Sequence, residues 1–166
     1  LYWEANLGVK RNPRIGLVCS GSPTHWDDQN RSLSLDHFLP LLDFPAEFHC
    51  LQKVLHEKDA LWLKSEGRIK FHGELLDEFS RTAGLIAAMD LVISVDTSVA
   101  HLAAAMGKPV WLMIPWIPDY RWLLEREDTP WYPTVRLFRQ PAPKNWAQVV
   151  TEAHEALLNL KTKIEG

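Results

Sequence analysis

Short runs of apolar residues alternate along this chain with segments in which apolar residues recur at helical spacing. The clearest run, Leu91–Val95, is apolar apart from one serine and predicts a strand buried on both faces. Residues 96–98 (Asp-Thr-Ser) are helix-capping types, small helix formers fill positions 99–106, and Gly107 ends the helix. A second apolar run, Val110–Ile114, follows. Strand, helix and strand in this order predict a crossover unit and therefore a parallel sheet.

The same alternation continues through the rest of the chain and contains no hairpin-turn signal. It predicts further strands at residues 14–20, 47–52, 68–72 and 135–138, and further helices at residues 35–42, 56–64, 76–89, 122–126 and 144–161. These elements predict an α/β fold: a Rossmann-like three-layer α/β/α sandwich with a mostly parallel sheet of about five or six strands. Residues 1–12 are predicted to be a linker or lead-in, and residues 13–166 a single domain.

Composition and charge indicate a globular protein and argue against several other classes of protein. The 166 residues are 46% hydrophobic, which is typical of a globular chain with a core. A formal net charge of −3 argues against nucleic-acid binding, because such domains usually present a basic surface. Cys19 and Cys50 have no metal or redox spacing, which favours reduced core thiols and a cytoplasmic protein, free or peripheral at the inner membrane. No apolar run approaches the ~20 residues that span a bilayer. The chain begins without methionine, so we expect it to be a fragment of a longer protein.

The turn after Val95 has the features of an anion site. Backbone N–H groups at a helix start face the crevice at the carboxyl edge of a parallel sheet, where phosphate commonly binds. Thr97 and Ser98 add hydroxyl groups there, and His101 lies one turn further along the same helix face. An ordinary capped helix with a packed histidine has the same pattern, so both interpretations stay open.

Two further segments are predicted to overhang the same crevice. A polar loop at residues 21–31 leaves the first strand and contains His25 and Arg31, while Gln52 and Lys53 end the second strand. Arg31 suits either anion contact or plain solvation, and solvation is the commoner fate of a lysine such as Lys53. The sequence lacks a Gly-x-Gly-x-x-Gly dinucleotide motif after the first strand, a Gly-Lys-Ser/Thr phosphate loop, a nucleophile elbow and paired metal-binding histidines. These absences disfavour dehydrogenases, P-loop ATPases and metal sites.

Several segments, in order along the chain, resemble the carboxy-terminal half of heptosyltransferase-like glycosyltransferases. They are RIGLVCSGSP at residues 14–23, DQNRS at 28–32, LQK at 51–53, DTSVAHLA at 96–103, GKPVW at 107–111, RWLL at 121–124, PWYP at 130–133 and RLFRQ at 136–140. The resemblance is strongest to the version that is fused behind tetratricopeptide repeats in bacterial proteins.

This resemblance implies the second half of a GT-B fold of the family 9 type, in which two Rossmann-like domains face each other. It implies that residues 13–166 form the domain that binds the nucleotide-sugar donor. The residues implied to lie near the donor's phosphates and sugar are Ser20, Gly21, Arg31, Asp96, Thr97, Ser98 and His101. Gln52 is implied to lie near the base or ribose, and the weaker candidates are His25, Lys53, Arg121 and Trp122.

The chemistry that the resemblance implies is an inverting transfer without a metal or cofactor, with the nucleotide-diphosphate sugar as substrate. Fixed N–H donors and Arg31 would stabilise the charge on the leaving diphosphate, and a carboxylate base would take the proton of the acceptor hydroxyl. The family supplies that base from an amino-terminal domain. We therefore expect this fragment to bind donor but to be inactive alone. The expected partner is that amino-terminal domain, with or without tetratricopeptide repeats, and homo-oligomerisation stays open.

Two features leave alternatives open. Asp96 either orients sugar hydroxyls or only caps the helix. The Trp-rich segment 116–132 is either an aromatic surface for a sugar, a partner domain or another subunit, or a set of core and loop-anchoring side chains. The competing function is a noncatalytic, GT-B-derived module for protein interaction or ligand sensing. A nucleotide-sugar epimerase is a weaker third hypothesis.

Overall fold

A parallel β-sheet forms the centre of the computed structural model, which describes residues 2–22 and 24–165. Within these residues the sheet has six strands in the order β3-β2-β1-β4-β5-β6, and every pairing is parallel. The strands are β1 (Arg14–Val18), β2 (Glu47–Cys50), β3 (Ile69–Phe71), β4 (Leu91–Val95), β5 (Val110–Ile114) and β6 (Val135–Arg139). The α-helices are α1 (Tyr2–Leu7), α2 (Asp28–Arg31), α3 (Glu57–Glu66), α4 (Phe79–Ala87), α5 (Ser98–Ala105) and α6 (Trp146–Glu165), and 3-10 helices span Leu35–Asp43, Gly73–Leu75 and Tyr120–Trp122.

The central strands β1, β4 and β5 are buried on both faces because helices cover each side of the sheet. Alternate residues of the central strands enter two separate apolar clusters, as with Ile93 in one cluster and Val92 in the other. The first cluster joins the sheet to α3, α6 and the 3-10 helix Leu35–Asp43, and the second joins it to α1, α4 and α5. The predicted Rossmann-like α/β/α sandwich is confirmed.

The strand order reverses between β1 and β4. The chain moves outward from β1 through β2 to β3, then returns to pair β4 with the other side of β1. Loops that leave the carboxyl ends of these two strands diverge to opposite faces of the sheet, and the crevice between them is the usual ligand position in open α/β sheets. The segments that follow Val18 and Val95 meet at this crevice.

Residues 1–12, predicted to be a linker or lead-in, contain helix α1. Trp3 and Leu7 are buried in the second cluster. The indole of Trp3 packs against Gly84, where a Cβ atom would come within 2.7 Å of the ring. Its Nε1 atom donates to the carbonyl oxygen of Arg81 (2.8 Å). Helix α1 therefore covers part of the sheet's second face.

Three predicted helices differ from the structure. The helix predicted at residues 35–42 is the 3-10 helix Leu35–Asp43, which contains Pro40. The helix predicted at residues 122–126 is wrong: the 3-10 turn Tyr120–Trp122 ends there, and Leu123 (φ 53°) and Glu125 (φ 57°) have left-handed backbone angles that an α-helix excludes. Helix α4 starts at Phe79, not at residue 76, so Phe79 lies in the first turn and is 62% exposed.

Candidate functional site

The crevice between the ends of β1 and β4 is bridged by one arginine. Helix α2 places Arg31 over the crevice, and its Nη1 atom donates to the carbonyl oxygen of Asp96 (3.1 Å). The guanidinium group lies against Gly21, where a Cβ atom would come within 2.1 Å of Nη2. Only glycine leaves space for the arginine at this position. A side chain from the loop after β1 thus reaches the loop after β4.

Asp28 fixes the positions of Gly21 and Arg31 relative to each other. Its Oδ1 atom accepts hydrogen bonds from the backbone N–H of Gly21 (3.2 Å) and from Oγ of Ser32 (2.8 Å). The same oxygen lies 3.5 Å from Nε of Arg31, as an ion pair. Asp28 is buried, so it orients the arginine and does not face a ligand. This role of Asp28 was not predicted, although Asp28 lies in the DQNRS segment that resembles the glycosyltransferases.

Helix α5 begins at the other side of the crevice. Thr97 is the N-cap: its Oγ1 atom accepts from the backbone N–H of Ala100 (3.5 Å) and lies 3.2 Å from Oγ of Ser94. The alternative in which Asp96 caps the helix is therefore wrong. Thr97 is buried by these contacts, whereas Ser98, the first residue of the helix, is exposed. Unpaired backbone N–H groups in a first helical turn give the crevice a positive partial charge.

Asp96 and His101 form a closed polar cluster with two aromatic side chains. Oδ1 of Asp96 lies 3.2 Å from Nε2 of His101, and Oδ2 accepts from Nε1 of Trp122 (2.8 Å). The hydroxyl of Tyr132 lies 3.1 Å from Nδ1 of His101, and the Trp122 ring stacks on the imidazole with 5.3 Å between centroids. Both ring nitrogens of His101 are thus engaged by protein. Tyr132 was not among the predicted site residues, although it lies in the PWYP segment.

These contacts keep Asp96 ionised. Burial alone would raise the pKa of its carboxyl group. The hydrogen bonds from His101 and Trp122, together with the charges of His101 and Arg121, outweigh burial and hold the pKa below its usual value. A carboxylate with a lowered pKa and both oxygens bound is a weak proton acceptor.

Ser20 and Gln52 lie at the carboxyl ends of β1 and β2 but are bound to each other. Nε2 of Gln52 donates to Oγ of Ser20 (2.8 Å), and its Oε1 atom accepts from the backbone N–H of Cys19 (2.7 Å). Both side chains are buried. Their predicted contacts with phosphate and base stay predictions.

The weaker candidates lie in different places. His25 is exposed, stacks on the exposed Trp26 ring and accepts at Nδ1 from the backbone N–H of Asp27 (3.2 Å). Lys53 is exposed. Arg121 is exposed and pairs with Asp119, whereas Trp122 is buried in the cluster around His101. Among the described residues, no group of three or more His, Cys, Asp and Glu side chains is placed to hold a metal ion. None of the helices in this part of the chain is long and apolar enough to cross a membrane.

Comparison with known proteins gives similarity in sequence and in fold. The sequence signature of Glycosyltransferase family 9 (heptosyltransferase) matches residues 76–111, which include β4, the crevice turn and α5. Protein FlbA of Caulobacter vibrioides is 27% identical over 143 residues, which cover 82% of this chain and 24% of that protein.

A solved structure shows the same fold. The structure of E. coli ADP-heptose LPS heptosyltransferase II matches with a TM-score of 0.63 and 19% sequence identity, over 97% of this chain and 51% of that one. The chain therefore spans about a quarter of the curated relative and about half of the solved structure. The expected Rossmann-like half of a GT-B structure is confirmed as the fold.

Proposed function

We propose that this chain is the nucleotide-diphosphate-sugar-binding half of an inverting, metal-independent glycosyltransferase. The observation that carries the proposal is Arg31, which spans the crevice at the strand-order reversal and faces the start of α5. The similarity of residues 76–111 to heptosyltransferases supports it, because that segment forms one wall of the crevice.

The charges suit a diphosphate leaving group. When the acceptor oxygen attacks the anomeric carbon, the bond from that carbon to the diphosphate breaks and negative charge grows on the diphosphate. The Arg31 guanidinium and the N–H groups at the start of α5 are fixed donors at that place, and the exposed Ser98 hydroxyl lies at the same helix start. Fixed donors stabilise developing charge without reorganising. These donors stabilise the charge on the diphosphate that a metal ion stabilises in other transferases.

The proton of the acceptor hydroxyl needs a separate base. Asp96 is poorly suited because its pKa is lowered and both its oxygens are bound. We therefore place the base outside these 166 residues, in a facing domain, and expect this chain alone to bind donor without turnover. In this proposal Asp96 and His101 fix the geometry of the crevice.

Calorimetric titration with ADP, UDP, GDP and CDP tests the donor site. We expect selective binding of one nucleotide, with affinity about tenfold or more lower in Arg31→Gln, since a hydrogen bond to a charged group contributes roughly 1.5–3 kcal/mol. Arg68→Gln is the matched control, because Arg68 is exposed just before the amino end of β3, at the opposite edge of the sheet. Equal affinity in the wild type and Arg31→Gln would refute this site.

A noncatalytic module for interaction or ligand sensing is the second candidate. The exposed aromatic side chains of the segment after β5 favour it. Absence of nucleotide binding both in this chain and in the longer protein that contains it would favour that function over the first.

A further inference from the structure

The segment between β5 and β6 presents aromatic rings to solvent beside the crevice. Tyr120 is 82% exposed and Trp131 is 63% exposed, although large aromatic side chains are usually at least partly buried. Nearby residues of the same segment face inward: Trp122 stacks on His101, and Tyr132 hydrogen-bonds to it. The exposed rings therefore lie one or two residues away from side chains of the cluster that forms one wall of the crevice.

This segment is fixed in position. Nε1 of Trp131 donates to the carbonyl oxygen of Arg121 (3.1 Å), which holds the exposed indole at its edge. Arg139 donates from Nη2 to the carbonyl oxygen of Trp122 (2.5 Å) and from Nε to that of Arg126 (2.9 Å). A ring that is exposed but already held loses little conformational freedom when a ligand stacks on it.

An ion pair, Asp119–Arg121, flanks Tyr120 in sequence, and its arginine also contacts Trp131 through its carbonyl oxygen. Nε and Nη2 of Arg121 donate to the two carboxylate oxygens of Asp119 (2.8 and 3.2 Å). The two side chains are 43% and 34% exposed, respectively. The pair presents N–H donors beside carboxylate acceptors. Adjacent sugar hydroxyls need both, because each hydroxyl can donate one hydrogen bond and accept others.

We propose that Tyr120, Arg121 and Trp131 form a saccharide subsite, and that its ligand is a pyranose ring of the acceptor. The C–H face of a pyranose carries a slight positive charge and stacks on the negative face of an aromatic ring. Its hydroxyls reach the Asp119–Arg121 pair. The role as acceptor subsite rests on the proposed function, because an acceptor bound here has its hydroxyl next to the crevice that holds the donor.

Charge argues against an anionic membrane as the occupant of this surface. The segment 115–133 carries more acidic than basic side chains: Asp119, Glu125, Glu127 and Asp128 against Arg121 and Arg126. Peripheral membrane segments instead gain attraction from clustered basic residues. A neutral saccharide meets no such electrostatic cost.

Saturation-transfer NMR with the methyl glycosides of glucose, galactose, mannose and N-acetylglucosamine, without nucleotide, tests the subsite. We expect transfer to at least one glycoside, with affinity about three- to tenfold lower in Tyr120→Ala and in Trp131→Ala. Trp131→Phe keeps a stacking face and should retain most of the affinity. Phe79→Ala is the control, since Phe79 is an exposed aromatic residue at the start of α4.

Transfer to none of the four glycosides, or equal transfer in both alanine variants, overturns the subsite. Self-association that the same variants abolish, without glycoside binding, assigns the surface to protein contact and also overturns it. The nucleotide titration separates the two proposals. Nucleotide binding without glycoside binding removes only the subsite, and glycoside binding without nucleotide binding removes the donor site and the acceptor role with it.

Discussion

Gly21 and Arg31 show how one position without a side chain shapes the crevice. The guanidinium of Arg31 occupies the space that a Cβ atom at residue 21 would take, and Asp28 binds both the backbone of Gly21 and the arginine. The contact between Gly21 and Arg31 cannot be predicted from either residue by itself. The position of the charge depends on the two residues together.

We predict that Gly21→Ala displaces Arg31 and weakens nucleotide binding without changing the charge of the protein. The new methyl group would lie within 2.1 Å of Nη2, so the guanidinium must shift from its present position. We expect a loss of affinity comparable to that of Arg31→Gln, about tenfold, by calorimetry. Ser22→Ala, at the next, exposed position, serves as control. An unchanged affinity in Gly21→Ala would show that the packing of the guanidinium against residue 21 does not determine nucleotide binding.

A second residue-scale effect concerns His49, which is buried in β2. Burial first, then the charges of His72, Lys70 and Arg14, lower the pKa of His49 to about 4, and Glu47 opposes this only in part. Nδ1 of His49 lies 3.0 Å from Nε2 of His72, so the pair shares one hydrogen bond in its neutral form. The unfolded chain binds more protons than the folded chain between pH 6.5 and about 4. Stability is therefore full above pH 6.5 and falls as the pH is lowered through this window.

We predict that the free energy of unfolding falls by about 2–3 kcal/mol between pH 7 and pH 4.5 through His49 alone. His49→Phe should lose less stability over that range than the wild type, whatever its stability at pH 7. Urea unfolding at both pH values measures this difference. His25→Ala removes an exposed histidine and should keep the wild-type pH dependence. Identical pH dependence in His49→Phe and the wild type would exclude His49 as the source.

At the scale of elements, helix α1 could not be predicted from the sequence because the residues it packs against lie far along the chain. Trp3 contacts Arg81, Gly84 and the ring of His72, 69 or more positions away. The strands were predictable because continuous apolar runs reveal burial locally. The hydrogen bond between His101 and Tyr132 was not predictable. Tyr132 lies 31 positions from His101, and the PWYP motif does not indicate where the Tyr132 hydroxyl points.

We predict that Trp3→Ala destabilises the domain by about 3 kcal/mol, the usual cost of removing a buried tryptophan side chain from a core. Urea unfolding followed by circular dichroism measures it. Val9→Ala, which truncates a side chain that is 84% exposed, should change stability by less than about 0.5 kcal/mol. Equal stability of Trp3→Ala and the wild type would mean that α1 does not contribute to the fold in solution.

At the scale of the whole molecule, the two apolar clusters share one sheet. Each central strand sends alternate side chains to both clusters, so neither face can unfold while the other keeps its strands. This layered architecture was predictable, because the periodicity of strands and helices repeats over most of the chain. The hydrogen bonds of Ser20 with Gln52 and of Asp96 with Trp122 were not predictable, because they depend on the three-dimensional positions of the loops.

We predict one cooperative unfolding transition for residues 2–165. Tryptophan fluorescence reports both faces, because Trp3 and Trp122 lie in one cluster while Trp111 and Trp146 lie in the other. Its midpoint in urea should coincide with that of far-ultraviolet circular dichroism. Separate midpoints would mean that the two faces unfold independently.

The contact between Arg31 and the carbonyl oxygen of Asp96 also bears on how fast a ligand arrives. The crevice walls are joined in the unliganded protein, and the cluster around His101 is fully hydrogen-bonded at its ring nitrogens. Among the described residues both walls of the crevice are already in contact, so association should not show the slow phase of a conformational rearrangement. Differences in affinity between nucleotides would then appear mainly in their dissociation rates.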